Sequence, residues 1–262
     1  MSVDLAEAAA ENASCHSAWV QTRVPTMRAS LAPDLVLADC GFDCDTFNSV
    51  FRTRLTPATA RDRALEAIAW FEGRPFSWWV APGDSPADLG PMLESLGLVA
   101  AEGELAMACE LADVRDAGDA LGELEVGRVR TPEELELYAA LLAALWDPPD
   151  QGVIRFYGEG RSHLLAERCP LRLYLGRWQG TPVATAELAV TESAVGLYNI
   201  STRSDHRGRG IGSAITLAPL LEAKAEGHGL AVLQAAPAGV AIYRRVGFRP
   251  YGEIVEYKPT GS

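Results

Sequence analysis

Arg207-Gly208-Arg209-Gly210-Ile211-Gly212 follows a strand-like run, 195–202, and opens a helix-like run that reaches about residue 226. Glycines in such a place permit positive φ and let bare backbone approach a ligand closely. The unpaired amides of a helix's first turn, with the helix dipole behind them, attract phosphate. Arg203, Arg207 and Arg209 add local positive charge. Two other phosphate loops fail on spacing or context. A P-loop places Lys and then Ser or Thr after its last glycine, whereas Gly212 is followed by Ser213-Ala214. A dinucleotide-binding turn needs a third glycine where Ser213 stands, and it follows the first strand of its domain rather than a run of hairpins.

Upstream of the loop, the spacing predicts strands over 171–177 and 182–190, joined by a turn at Gln179-Gly180, and a third strand over 195–202. Thr131-Pro132-Glu133-Glu134 has the form of a capping box with Pro at the first helical position, and Leu135, Tyr138, Leu141, Leu142 and Leu145 recur at helical steps behind it. Pro148-Pro149 stops that helix, and a second is expected near 162–168. Downstream, 230–235 reads as a short buried strand, 239–246 as a short helix, and Phe248 begins the closing strands. Pro219 falls inside the long helix and predicts a bend there, because it removes a backbone donor.

Two runs occur in a fixed order: Arg207-x-x-Gly210-x-Gly212, then Tyr243-x-x-x-Gly247-Phe248 at the distance one helix and one strand require. On these the chain resembles the GNAT superfamily of N-acetyltransferases over about 124–258. The resemblance implies an α/β (α+β) fold with a mixed, mostly antiparallel central sheet flanked by helices. It also implies acetyl-CoA as co-substrate, an amine as acceptor, and no metal. Asn199, Ile200, Ser201 and Thr202 would lie on the strand that pairs with the pantetheine arm and polarises the thioester carbonyl. The backbone of Gly208, Arg209, Gly210, Ile211, Gly212 and Ser213, beside Arg207, would hold the pyrophosphate. Tyr243 would reach the sulfur, as a proton donor to the departing thiolate or as packing against the cofactor. Glu187 is the candidate base, with Glu192 and His206 behind it, and an acceptor of low pKa would need none. Ser204 stands where the family commonly has proline, which leaves the glycines intact.

The first half repeats the order of the second. A helix-like run at 60–72 ends at Gly73, a strand follows at 75–80, and Leu93-Glu94-Ser95-Leu96-Gly97-Leu98 stands where Tyr243-Arg244-Arg245-Val246-Gly247-Phe248 stands later. Asn48 to Thr53 corresponds to the strand before the loop. Between Phe51 and Ala60 there is no glycine, and Leu93 replaces Tyr243. We therefore expect two GNAT-like domains, a degenerate one over 1–120 without a cofactor loop and a complete one over 121–262. The degenerate half would cover the sheet or wall the acceptor pocket. Of the aromatic cluster Trp70, Phe71, Phe76, Trp78 and Trp79, at least part is ordinary core.

Composition bounds the partners. A net charge of -12 argues against a nucleic-acid partner, since such affinity comes from Lys and Arg displacing counterions. No stretch of about 20 apolar residues occurs, and the opening MSVDLAEAAAENAS lacks the apolar core of a signal peptide, so neither a membrane nor secretion is expected. Five cysteines at irregular spacing suit reduced thiols in a cytoplasmic protein. The expected activity is direct transfer of an acetyl group to a primary amine of a small molecule, by a monomer or homodimer. A silent acyl-CoA-binding sensor or scaffold and an acetyltransferase acting on a protein amine remain the alternatives.

Overall fold

The computed structural model describes residues 4–114 and 124–260. The expected boundary between residues 120 and 121 lies outside them. The first half runs α1 (Leu5–Ala18), β1 (Arg28–Leu31), β2 (Val36–Asp39), β3 (Ser49–Phe51), α2 (Ala60–Trp70), β4 (Ser77–Val80), α3 (Leu89–Ser95), β5 (Leu98–Ala100) and β6 (Glu104–Glu110). The second runs β7 (Leu124–Arg128), α4 (Pro132–Ala143), α5 (Gln151–Glu159), α6 (Arg161–Leu164), β8 (Leu171–Trp178), β9 (Thr181–Val190) and β10 (Val195–Thr202). It ends with α7 (Ile211–Ala225), β11 (Leu230–Ala235), α8 (Val240–Val246) and β12 (Arg249–Pro259).

All twelve strands of the described residues belong to one mixed sheet in the order β1-β2-β3-β4-β12-β6-β11-β10-β9-β8-β7, with β5 on β12. Pairing is antiparallel except at β3/β4 and β10/β11, and each parallel pair is bridged by one long helix, α2 or α7. That correspondence is the structural counterpart of the repeated order in the sequence. Between the two parallel pairs the halves trade strands. β6, from the first half, pairs with β11, while β12, from the second, pairs with β4 and β5. β6 and β12 pair with each other at the centre.

Side-chain alternation explains the layers. Along β8, Leu171, Leu173 and Leu175 face Leu135, Tyr138 and Leu142 of α4 and Phe156 of α5. On the opposite face, Ile215, Leu217 and Leu220 of α7 pack on Val183, Leu188 and Leu197. Each such buried side chain stabilises the fold by about 2 kcal/mol. The first half has its own core, in which Phe71, Phe76 and Trp78 pack with Leu89 and Leu93. Trp79, by contrast, lines a cavity.

Thr131 caps α4 as expected, its Oγ1 accepting from Glu134 N at 3.2 Å. Glu134 reaches back one residue further than a capping box requires, to Arg130 N at 2.8 Å. α7 is continuous across buried Pro219 and ends ahead of Gly227, whose φ of 91° is the left-handed conformation of a helix stop. The helix expected near 162–168 is the shorter α6, preceded by α5, whose N-cap Asp150 accepts from Gly152 and Val153 amides. All five cysteines are free thiols, and among the described residues no helix is long and apolar enough to cross a membrane.

Candidate functional site

The site begins where two parallel strands part. β10 and β11 pair from Val195↔Ala231 to Leu197↔Leu233, then each continues, to Thr202 and Ala235, without pairing with the other. An irregularity in β10 starts at that point. Its register against β9 shifts between Tyr198 and Ser201, and Asn199 takes a φ of 50°. An extra residue in one strand bends it and frees backbone groups from the ladder. Thr185 Oγ1 holds the bend by donating to Asn199 O at 2.8 Å. A gap therefore opens between strands, edged by backbone that no neighbouring strand satisfies.

On one side of the gap lies a cleft of about 370 Å³. Ile200, Ser201 and Thr202 form its strand wall, Arg207, Gly208, Ile211 and Gly212 its loop-and-helix end, and Ile242 and Tyr243 of α8 the facing wall. Gly208 and Gly210 have φ of 77° and 81°, and a Cβ on either would meet nothing within 4 Å. No side chain caps α7, and between Gly208 and Gly212 no amide donates to a backbone carbonyl among the described residues; the first that does is Ser213, to Gly210 O at 3.0 Å. A run of bare amides at a helix N-terminus facing open space is an anion cradle. Gly212 has a different reason to be glycine, since a Cβ would press on Ile242 Cδ1 at 3.1 Å.

The three arginines diverge. Arg207 lines the cleft and its Nε donates to Thr202 O at 3.2 Å. Arg203 is occupied by Asp205 at 2.8 Å, and Asp205 also takes His206 Nδ1 at 2.8 Å. The Arg209 guanidinium lies 6.0 Å from the centroid of the Trp178 ring. Arg209, Gly210 and Ser213 belong to the loop and helix start without forming the cleft wall.

On the other side of the gap is a cavity of about 450 Å³. Asp45, Phe51 and Trp79 of the first half line it together with Trp146, Asn199 and Lys258 of the second. Lys258 Nζ sits 2.8 Å from Asp45 and 3.2 Å from Glu256. Ile200 and Tyr243 line both this cavity and the cleft, so they stand at the passage between the two. Burial, and secondly the charge of Glu104, pushes the Tyr243 phenol up to about 12, which keeps it protonated through the neutral range. Burial also raises Glu104 itself.

Glu187 is placed behind this cavity rather than on its wall. It is 2% exposed, and three donors hold it. His16 Nδ1 lies 2.9 Å from Oε1, while Tyr157 Oη and Asn199 Nδ2 reach Oε2 at 3.2 and 3.0 Å. His16 lines the cavity and stacks on Tyr198, with ring centroids 3.8 Å apart and planes 2° from parallel. Glu192 is exposed in the β9–β10 turn. His16, Tyr157, Asp45 and Lys258 carry no motif in the sequence; only the packing of α1 on β9 and β10 brings the histidine to the site. Among the described residues no cluster of three or more His, Cys, Asp or Glu that could hold a metal occurs.

The family model for the Acetyltransferase (GNAT) domain matches residues 165–250. Among solved structures, a GCN5-related N-acetyltransferase from Kribbella flavida superposes with a TM-score of 0.68 at 22% identity, over 98% of this chain and 96% of its own. A GCN5-related N-acetyltransferase from Sphaerobacter thermophilus gives 0.59 at 17% identity, over 87% and 81%. A tandem GNAT protein from the clavulanic acid biosynthesis pathway gives 0.56 at 16% identity, over 86% and 77%. No curated protein sequence matches significantly. Residues 165–250 are thus a GNAT acetyltransferase domain, set in a chain whose fold as a whole is that of GNAT N-acetyltransferases, tandem ones included.

Proposed function

We propose that the chain transfers an acetyl group directly from acetyl-CoA to a primary amine of a small molecule. The observation that carries this reading is that the cleft and the cavity meet at Tyr243 and Ile200, where β10 and β11 separate. The cleft suits the coenzyme on its own features. The bare amides from Gly208 to Gly212 and the Arg207 guanidinium answer a diphosphate, and the unpaired edge of 199–202 answers an amide-bearing arm. When bound, acetyl-CoA supplies the thioester carbon that the amine attacks. Arg209, Gly210 and Ser213 hold the loop and helix start in the shape that presents those amides.

Backbone donors of 199–202 stabilise charge that builds on the carbonyl oxygen, and Tyr243 Oη offers a proton where the leaving sulfur needs one. A cavity of about 450 Å³ walled by side chains of both halves fits a small acceptor better than a protein surface. Residues 1–120 contribute Asp45, Phe51 and Trp79 to that cavity and lack a glycine loop of their own, so we assign them the acceptor wall and the cofactor to 121–262.

Calorimetric titration with acetyl-CoA tests the assignment. Gly210→Trp, whose side chain must project into the open space before α7, is expected to lose at least about tenfold in affinity, equivalent to 1.4 kcal/mol. Equal binding by both proteins overturns the loop assignment. Tyr243→Phe is expected to bind normally and to release thiol more slowly across an amine panel. Tight binding by the wild type with no thiol release from any amine favours the silent sensor.

A further inference from the structure

We propose that His16, on the first helix of the degenerate half, is the base that takes the proton from the acceptor amine, and that Glu187 is a positioning residue acting through it. This rests on the acyl-transfer reading above. Glu187 is 2% exposed and absent from the cavity wall, with Oε1 held by His16 and Oε2 by Tyr157 and Asn199. The imidazole stands between that carboxylate and the cavity, with its side chain 18% exposed. With Nδ1–H donated to Glu187, the lone pair is on Nε2, which has no hydrogen-bond partner among the described residues. Stacking on Tyr198 fixes the plane of the ring. Asn12, one turn earlier on the same face of α1, is pinned to Ala189 O and Ala194 O at 3.0 Å each, which fixes the helix that carries His16.

The step balances without a further reactant. As the neutral amine nitrogen bonds to the thioester carbon it holds one proton more than an amide can, and His16 Nε2 accepts it. Tyr243 Oη gives a proton to the sulfur, which leaves with the electron pair of the broken C–S bond. The imidazolium and phenolate, which line one cavity, regain neutrality through water, so the net change is amine plus thioester to amide plus thiol.

His16→Phe keeps a flat ring on Tyr198 and removes the nitrogen. It is expected to lower kcat by about 100-fold or more while leaving the calorimetric Kd for acetyl-CoA unchanged. Glu187→Gln is expected to lower kcat, and the double variant to be no slower than His16→Phe alone, because the pair acts as a unit. A wild-type-like kcat in His16→Phe, or additive losses in the double variant, overturns the proposal while acyl transfer stands. If His16→Phe does not fold, His16→Ala decides. Added imidazole is expected to restore its turnover by about tenfold or more, as a base at the vacated position, and no recovery overturns the role. A wild type that binds acetyl-CoA and acylates nothing refutes the acyl-transfer reading first and this one with it.

Discussion

Replacing Asn12 by alanine should be among the costliest changes at any polar residue of this chain. Its side chain is fully buried, and its Nδ2 donates to Ala189 O and Ala194 O at 3.0 Å and to Thr191 Oγ1 at 3.3 Å. Its Oδ1 accepts from Tyr198 Oη at 2.9 Å. Gly196 makes the room for this, since a Cβ there would collide with Asn12 Oδ1. Alanine removes all four bonds and strands the buried Tyr198 phenol, while Ala194 O keeps the Thr191 amide and hydroxyl. At about 1 kcal/mol per bond, with more for stranded groups, the loss is about 4 kcal/mol. For a chain of this size that corresponds to a fall in Tm of about 10 °C. Ser14→Ala is the control, because Ser14 Oγ bonds only to Ala10 O of its own helix, and it should be nearly neutral. Differential scanning calorimetry of the three proteins gives the answer. A fall for Asn12→Ala no larger than that for Ser14→Ala would show that the bracket does not hold α1 to the sheet, and the placement of His16 would lose its support.

Two further changes report on local structure. Thr131→Ala removes the N-cap of α4 and should cost about 1 kcal/mol in urea unfolding with no change in acetyl-CoA affinity, because the cap lies outside the cleft. Asp84 should make part of the stability depend on pH. Burial pushes its carboxyl from the ordinary 3.8 up to about 6, despite Arg54 Nη1 at 2.6 Å. Between those values the folded chain holds a proton that the unfolded chain has released, so stability rises as pH falls from about 6 to about 4, by at most about 3 kcal/mol. The Tm of the wild type minus that of Asp84→Asn should therefore shrink as pH is raised from 4 to 7, and a difference that grows refutes the assignment.

What could be read ahead of the structure follows from how local each signal is. The bounds of β10 and β11, 195–202 and 230–235, come directly from apolar runs closed by turn residues, and the loop between them is legible because glycine, arginine and helix periodicity act within a dozen residues. α2 and β4 are similarly accessible because Gly73 separates them. α5 is hard to see in the sequence, although Asp150 before Gly152 and Val153 is a local cap signal, because the double proline ahead of it reads as the end of a helix. α1 gives little to read. It buries small residues, Ala8, Asn12 and Ala18, so it has no apolar stripe, and the value of Asn12 and His16 depends on strands some 170 to 190 positions away. Glu187 could be named as a carboxylate on the middle strand, but its three donors come from α1, α5 and β10, which no spacing rule connects.

The traded strands make the two halves poor candidates for modular cutting and grafting. A fragment starting after residue 120 would retain the glycine loop and Tyr243 yet leave the flank of β11 from Leu230 to Ala235 bare, because β6 normally covers it from Glu110 to Leu105. A bare, largely apolar flank recruits other chains, so such a fragment should clump rather than work as a minimal enzyme. The first half depends on the second in the same way, since β12 fills the place beside β4.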